Sequence, residues 1–501
     1  MSLSVDVLSI IFEDLERQND GSLYSCIFVN REWCKASIPY LWKNPWKRVF
    51  CNIKRYKSLF KSFLMMMPQE SKEFLKINGL KYLFDDESLN NDPLFNYARF
   101  CKVIDSFVIN SMVIQNIKYN KNQKVPKYLT QQNYNEYLVE QEILKLLINN
   151  TSKIKCLTLI HKSHPIIFFS NSFTSLSQLN ELHCNTSIDP KMFYELSQFC
   201  KNIEKLVIEG HNDENYGLVL FIEKLSNLKK VKIWEDNVFG SIAQGKCKNL
   251  GDVLVTKSSS ITELDLGNSP ITIPPKLLRR FQNNLTSFKF CVSYHISEEI
   301  LINELVNILR NISFPNLEEL IIYHDYSPPF EVVARMIETT NKKLKKFTIG
   351  TFNEFYENAN LLVTVISTQC PKLEYLGIWI DDMNLMINLL NGCKNLKGLL
   401  ARSYYSNEIT ELFKILGDHA TNQLRKFQFD ETWELAEDDL KNCFEIWKQK
   451  KEFSFDFYMP CYVFQEANSQ REIIKKYQKL GVIGDYDMYP GARNYVEDIW
   501  E

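Results

Sequence analysis

The stretch Cys200-Lys-Asn-Ile-Glu-Lys-Leu-Val-Ile208 decides how the rest of the chain is interpreted, because its spacing returns many times. Within it, Ile203, Leu206 and Ile208 form a six-residue frame with apolar residues at the first, fourth and sixth positions. The last two of these positions are two residues apart, so their side chains lie on the same face of a strand, as in a strand with one buried face. The frame therefore predicts a short strand that adds apolar side chains to a core.

The same frame predicts an array of strand-and-helix repeats. The intervals 179 to 203, 203 to 228 and 317 to 344 are 24, 25 and 27 residues, whereas 228 to 261 and 285 to 317 are longer. A repeat of this length buries its apolar face only against its neighbours. Helical spacing predicts helices over 190–198, 297–309, 329–338 and 384–390. The frames begin at Ile203, Leu228, Ile261, Leu285, Leu317, Leu344, Leu373, Leu396 and Leu424, with weaker copies at Ile104, Ile154 and Leu179.

A cysteine stands three residues before the frame at Cys200, Cys370 and Cys393. In this feature the array resembles the cysteine-containing class of leucine-rich repeats. The resemblance implies an α/β fold, a solenoid in which a curved parallel β-sheet is flanked by outer helices. A free cysteine behaves as a small apolar side chain, so we expect these thiols to be buried.

Residues 3–45 precede the array and predict three short helices. Val7, Leu8, Ile11, Phe12 and Leu15 form the apolar stripe of the first. The turn Asn19-Asp20-Gly21 allows a second helix over 23–29, and a third runs from Glu32 until Pro39 ends it. So small a helical unit buries little apolar surface, which makes a partner protein expected.

This N-terminal layout resembles the F-box. The matching positions are Leu3, Asp6-Val7-Leu8, Ile11-Phe12, Leu15, 23–29, Asn30-Arg31-x-Trp33 and Pro39-Tyr40-Leu41-Trp42, and the departure is Ser4 in the place of the usual proline. The resemblance implies docking on a Skp-type adaptor, with Leu41 and Trp42 as the main anchors. The alternative is a helical cap on a repeat protein. The predicted adaptor-binding residues are Leu3, Ser4, Val7, Ile11, Val29, Trp33, Leu41 and Trp42.

The predicted domain organisation has four parts. They are an F-box at 1–46, a helical linker at 47–100, a leucine-rich-repeat solenoid at 101–460 and a C-terminal cap or tail at 461–501. A polar insertion between Asn116 and Tyr134 is expected to be mobile.

Composition restricts the class of partner. The 59 Lys and Arg residues against 61 Asp and Glu leave a net charge of -2, which argues against a nucleic acid or an anionic membrane as the main partner. No secretory signal or membrane-spanning apolar run is evident. The 13 cysteines lack CxxC pairs, as expected of reduced thiols in the cytoplasm or nucleus.

The sequence predicts no active site, cofactor or metal. Gly240 to Lys246 matches part of a phosphate-binding loop, but Cys247 stands where a Ser or Thr would bind magnesium. His161 and His164, near Cys156, lack further ligands at a suitable spacing, so we expect exposed loop histidines.

An F-box followed by leucine-rich repeats is the layout of substrate-recognition subunits of SCF-type ubiquitin ligases, in their fungal form. The resemblance implies a non-catalytic chain that joins a substrate protein to the adaptor, a cullin and a RING subunit. The first alternative is a repeat scaffold without a ligase, and the second is an enzyme whose nucleotide binding depends on Lys246. Substrate is expected on the concave strand face, where the side chains that flank the frame face outward and where Trp234, Tyr323 and Trp379 are expected to be exposed. The alternative is that these side chains fill helix-side or inter-repeat contacts. The predicted substrate-binding residues are Lys230, Trp234, Tyr323, Tyr375, Trp379 and Arg402.

Overall fold

A computed structural model of the chain describes most of residues 4–490. Its Cα positions divide into two compact units, Met1–Val231 with Asp236–Val253 and Lys232–Glu235 with Leu254–Glu501, which we call the first and second units. The segments not described within 4–490 are 19–21, 48–52, 87–88, 90–92, 118–130, 160–163, 211–213, 235–246, 268–274, 291–298, 323–327, 351–358, 380–381, 403–408, 430–432, 434–435, 452 and 462–465.

The first unit begins with α1 (Val5–Gln18), α2 (Ser22–Ser25), a 3₁₀ turn (Cys26–Phe28) and α3 (Arg31–Leu41). The prediction that Pro39 ends the third helix is wrong, because α3 continues through it. A proline removes one backbone donor, and in the last turn the Trp42 N–H still bonds to the Ile38 carbonyl. We call residues 4–41 the N-terminal helical unit.

The region after it, predicted as a helical linker at 47–100, contains several helical segments. It contains α4 (Ile53–Met66) and α5 (Gln69–Leu75), separated at Pro68, followed by 3₁₀ turns at Lys81–Phe84 and Tyr97–Phe100. Gly79 adopts a φ of 89°, a left-handed conformation that costs glycine little, and the helical path is kinked there.

The repeats of the first unit form a parallel sheet in chain order. Its strands are β1 (Val103–Asp105), β2 (Cys156–Leu159), β3 (Glu181–Asn185) and β4 (Lys205–Glu209). The helices are α6 (Ser106–Asn116), α7 (Gln131–Asn150), α8 (Ser172–Leu176), α9 (Pro190–Phe199) and α10 (Tyr216–Lys224). At the division between the units lie β5 (Lys230–Trp234) and α11 (Lys248–Thr256).

The second unit continues the pattern. Its parallel strands are β6 (Glu263–Asp265), β7 (Ser287–Phe290), β8 (Glu319–Ile322), β9 (Lys346–Ile349), β10 (Tyr375–Trp379), β11 (Gly398–Arg402), β12 (Lys426–Phe429), β13 (Phe455–Cys461) and β14 (Ile483–Pro490). The helices are α12 (Glu299–Asn311), α13 (Phe330–Glu338), α14 (Ala359–Gln369), α15 (Met383–Gly392), α16 (Ile409–His419), α17 (Glu437–Lys450) and α18 (Glu466–Lys479). Among the described residues, no helix is long and apolar enough to cross a bilayer.

The frame positions form the core, as the sequence predicts. Leu182 pairs in register with Leu157 and Leu206, and in the second unit Phe347 pairs with Leu320 and Leu376, all with buried side chains. Every side chain at the first, fourth and sixth positions of the nine strong frames is buried. The fold class is therefore confirmed as α/β, a leucine-rich-repeat solenoid.

The cysteines that precede the frames are buried, as expected. The Cys200 thiol donates to the Leu176 carbonyl, and the Cys393 thiol lies 3.5 Å from the Cys370 carbonyl oxygen. Burial raises the pKa of Cys200 to about 12, and it also raises the pKa of Cys370. These thiols stay protonated, and those of Cys200 and Cys393 bond to carbonyls of the preceding repeat.

The strand ladder extends past the predicted end of the array. Strand β14, within the predicted cap at 461–501, pairs in parallel with β13, and the repeat frame predicts neither strand. The proposed domain limits themselves remain a prediction. Of the predicted mobile insertion, residues 118–130 lie outside the described part of the chain.

Candidate functional site

The N-terminal helical unit encloses a small apolar core. The Phe12 ring is fully buried and meets the rings of Trp33 and Tyr40 edge-on, with centroids 5.6 and 5.9 Å away. The other buried members are Leu8, Leu23 and Cys26. The stripe predicted for α1 therefore faces inward except at Val7, which is exposed, and the other side of α1 is left for solvent or a partner.

Two side chains cap the helices of this unit. The Asn30 Oδ1 accepts the Trp33 N–H at 2.9 Å, which satisfies a free donor at the start of α3. At the start of α1, the Ser4 hydroxyl accepts the Val7 N–H at 3.4 Å, and the Ser4 carbonyl accepts the Leu8 N–H. Ser4, the departure from the F-box pattern, therefore serves as a helix cap, which a proline side chain could not do.

Among the described residues of this unit, five large apolar side chains are exposed to solvent. On α1 these are Val7 and Ile10, one turn apart, with Ile10 70% exposed. The rings of Tyr24 in α2 and Phe28 in the following 3₁₀ turn meet edge-on with centroids 5.5 Å apart, Phe28 is 73% exposed, and Val29 follows. Exposed apolar side chains that lie next to one another are typical of a protein-binding surface, and the pairs Val7 with Ile10 and Tyr24 with Phe28 meet that description.

The predicted adaptor-binding residues divide into two groups. Ser4, Val7 and Val29 are exposed, and Leu3 lies outside the described residues. The others are half-buried: Ile11, Trp33 and Leu41 pack against the core, and Trp42 is also partly covered. Ile10, Tyr24 and Phe28 are exposed as well, although they are not among the predicted adaptor-binding residues. Ile10 lies off the buried stripe of α1, which is the signal that could have identified it.

Trp42 belongs to an aromatic cluster after α3. Its ring stacks on Tyr97 with centroids 4.7 Å apart and meets Phe63 of α4 edge-on. Trp46 also stacks on Phe63, and the Trp46 Nε1–H donates to the Val103 carbonyl at 2.8 Å. We call Trp42, Trp46, Phe63 and Tyr97 the aromatic joint, because these rings connect the N-terminal helices to α4 and β1.

The predicted substrate-binding residues also divide. Lys230 is exposed, Trp234 and Tyr375 are half-buried, and Tyr323 lies outside the described residues. The prediction of exposed side chains is wrong for Trp379 and Arg402, which are 6% and 1% exposed.

Trp379 and Arg402 are buried because polar and aromatic groups cover the strand face on which the predicted binding residues lie. Arg402 donates from Nη1 to the Ile349 carbonyl at 2.7 Å, across two strands. The Trp433 Nε1–H, from beyond β12, donates to the Ala401 carbonyl at 2.9 Å. Thr348 and Leu400, which point the same way as the predicted binding residues, are buried as well.

Charged side chains are retained nearby, on β7 to β9. The Glu319 carboxylate lies 3.0 Å from the Lys346 ammonium and 3.6 Å from that of Lys289, and the Ser287 hydroxyl donates to it at 2.5 Å. Burial favours a raised pKa for Glu319, but the two lysines and the hydroxyl outweigh it and hold the pKa below its ordinary value. This carboxylate therefore stays charged on the strand face.

We expect Glu319→Gln to lower the free energy of unfolding at neutral pH by roughly 2 kcal/mol, because two partly buried ammonium groups lose a charged partner. The folded-state pKa is lowered, so the stabilisation is present above the ordinary pKa of 4.5 and disappears as the pH falls towards the folded value. Denaturant titrations from neutral to acidic pH measure both effects. The exposed neighbour Glu318, paired with Lys345, gives the control Glu318→Gln, with an expected loss under about 1 kcal/mol. Equal losses of unfolding free energy in both variants would contradict the conclusion that the Glu319 carboxylate stabilises the fold through its two lysine partners.

A second polar cluster lies on the strands of the first unit. Register places Cys156 of β2 beside Glu181 of β3, which is beside Lys205 of β4. The Glu181 Oε1 lies 2.7 Å from both the Lys205 ammonium and the His183 Nε2. Burial favours a raised pKa for Glu181, but these two partners outweigh it and lower the pKa to about 2, while burial and then Glu181 raise the pKa of Cys156 to about 12.

The prediction of exposed loop histidines is wrong for His164. Its ring is 1% exposed, lies 3.0 Å from the Glu140 carboxylate and stacks on Tyr137. His161 and residues 240–246 of the phosphate-loop pattern lie outside the described residues, and Cys247 is buried.

These features define an α/β protein of the leucine-rich-repeat type with an N-terminal three-helix unit. No protein-family model and no curated protein matches the chain. Among solved structures, the chain is similar to a chain of the structure described as "Crystal structure of Rad7 and Elc1 complex in yeast". The two chains share 15% sequence identity with a TM-score of 0.42, and the match covers 65% of this chain and 80% of the other. At this level of similarity, the comparison supports no conclusion about partners or activity.

Proposed function

We propose that the chain is the substrate-recognition subunit of an SCF-type ubiquitin ligase. The N-terminal helical unit would dock on a Skp-type adaptor, which joins a cullin and a RING subunit, and the repeats would bind the substrate protein. The chain itself would carry no catalytic residue, cofactor or metal needed for ubiquitin transfer, and it would work in the cytoplasm or nucleus. It would act by holding a substrate lysine at high local concentration near the ubiquitin carrier.

One observation carries the proposal: the N-terminal helical unit has a filled core and still exposes Val7, Ile10, Tyr24, Phe28 and Val29. A unit that only capped the repeats would turn its apolar side chains towards them. An adaptor that covers these five residues would form the apolar centre of a standard interface, about 1,200–2,000 Å² in total.

The test is the affinity of the full-length chain for the purified Skp-type adaptor of its host, measured by titration calorimetry. We expect Ile10→Lys with Phe28→Lys to weaken binding roughly 100-fold, because both replace exposed apolar contacts with charges that docking must desolvate. The matched control is Phe168→Lys, 70% exposed but within the repeats. Circular dichroism checks that each variant is folded.

The alternative function is a leucine-rich-repeat scaffold that binds proteins without a ligase. Absence of adaptor binding by the wild-type chain would favour the scaffold and contradict the proposal. Equal binding by the wild type and the double variant would instead show that docking uses other residues.

The substrate surface is proposed on the strand face where side chains stay accessible. Lys232 lies 4.1 Å over the Trp234 ring and 3.6 Å from the Asp265 carboxylate, and that ring packs on Ile321. Such a pair of aromatic and charged groups is typical of binding hot spots. Lys230 and Tyr375 stay in the proposal, whereas Trp379 and Arg402 leave it because they are buried.

A further inference from the structure

Three side chains of the first unit bring together a thiol, a carboxylate and an imidazole. Cys156 lies on β2, and Glu181 and His183 lie two residues apart on β3, on the strand face opposite the apolar core. One potential ligand atom of each lies within 4.8 Å of the other two, and all three side chains are half-buried. We propose that these residues form a binding site for a zinc ion.

The donor set selects the class of metal. Magnesium and calcium prefer oxygen ligands only, whereas sulfur, nitrogen and carboxylate oxygen together suit zinc. Three protein ligands leave one tetrahedral position for water or for a group from a bound protein. A site with such an open position on the strand face could join the substrate to the repeat array.

The strands supply the geometry that such a site needs. Zinc bonds of ~2.0–2.3 Å place neighbouring ligand atoms about 3.5 Å apart. Side-chain rotations that move each ligand atom by about 1 Å would therefore bring the three atoms to that spacing, with no change in strand register. Cys156 and Glu181 are register partners, so the backbone already fixes the two ligands on different strands next to each other.

Charge redistribution accompanies binding. The Lys205 ammonium, 2.7 Å from Glu181 Oε1, and the contact between Glu181 and His183 both compete with the metal for this carboxylate. When sulfur bonds to zinc, the thiol proton leaves to solvent, and the Lys205 ammonium turns away to water. Lys205 therefore weakens zinc binding in the native chain. Removal of its charge should raise the zinc affinity, a result not expected of a polar cluster with a purely structural role.

The experiment titrates zinc alone into the untagged, chelator-treated full-length chain, with calorimetry for affinity and cobalt substitution for the ligands. We expect one equivalent of metal and a sulfur-to-cobalt charge-transfer band. Cys156→Ala should remove that band and weaken zinc binding at least about 100-fold, beyond the loss typical of residues that only support a ligand. Lys205→Gln should strengthen zinc binding.

Matched controls separate this site from unspecific binding. Cys34→Ala and His419→Ala replace partly buried residues far along the chain, and both should leave zinc affinity unchanged. Glu181→Gln keeps the side-chain shape and should weaken binding even where Cys156→Ala is poorly folded. No stoichiometric zinc binding by the wild type, or a cobalt band that survives Cys156→Ala, would overturn the proposal. Neither result depends on adaptor binding, so the proposed function is tested separately.

Discussion

Trp447→Ala is expected to lower the free energy of unfolding of the second unit by about 5 kcal/mol, the upper end for removal of a buried aromatic side chain. Trp447 of α17 is fully buried, and its Nε1–H donates to the Phe453 carbonyl at 3.0 Å. Its ring lies 4.9 Å from Phe455 of β13 and 5.2 Å from Phe427 of β12. The substitution creates a cavity between helix and strands and leaves a carbonyl without its donor.

Denaturant unfolding of the full chain, followed by fluorescence and circular dichroism, measures this loss. Hydrogen exchange then shows whether protection falls first in β12 and β13. Trp447→Phe is the matched control, because it keeps an aromatic ring and removes only the indole N–H and part of the volume. A loss below about 1 kcal/mol for Trp447→Ala would contradict the packing described, since a surface substitution has an effect of that size.

Phe12→Ala is expected to cost the N-terminal helical unit about 4 kcal/mol, because Phe12 fills the middle of its core and meets Trp33 and Tyr40. A helical unit of about forty residues has a stability margin near that size. We therefore expect residues 4–41 to unfold locally while the repeats remain folded, and adaptor affinity to fall with them.

Hydrogen exchange resolved by peptide measures this effect, with lost protection in 4–41 and retained protection in β2 to β4. Phe28→Ala is the control, because its ring is 73% exposed and its removal leaves the core intact. Unfolding of the whole chain by Phe12→Ala would show that the helical unit does not unfold on its own.

The repeat array could be predicted from the sequence because its signal is local and repeated. In each frame, such as Leu373, Leu376 and Ile378, the side chains that the spacing predicts to be buried are buried. Strands β13 and β14 were missed, although Phe455 and Phe457 bury one face of β13. Pro39 was misjudged because a local rule was applied without the position of the proline within the last turn of its helix.

The surface could be predicted less well, because exposure depends on residues distant in sequence. Arg402 was expected to face solvent, but it bonds to the carbonyl of Ile349, 53 residues away. Cys156, Glu181 and His183 are brought together only by the pairing of β2 with β3. Aligning the weak frames at Ile154 and Leu179 would have placed Cys156 beside Glu181, since each is the third residue of its frame.

The aromatic joint has a consequence for the proposed ligase. Stacked rings and the Trp46 hydrogen bond to the Val103 carbonyl leave little rotational freedom between the N-terminal helices and β1. A flexible tether of the same length would let the first repeats sample a large volume around the docked adaptor, and the local concentration of substrate would fall accordingly. In the proposed ligase, a rigid connection would let the first repeats sample only a small volume, so the reach of the carried ubiquitin would select which lysines of a substrate are modified.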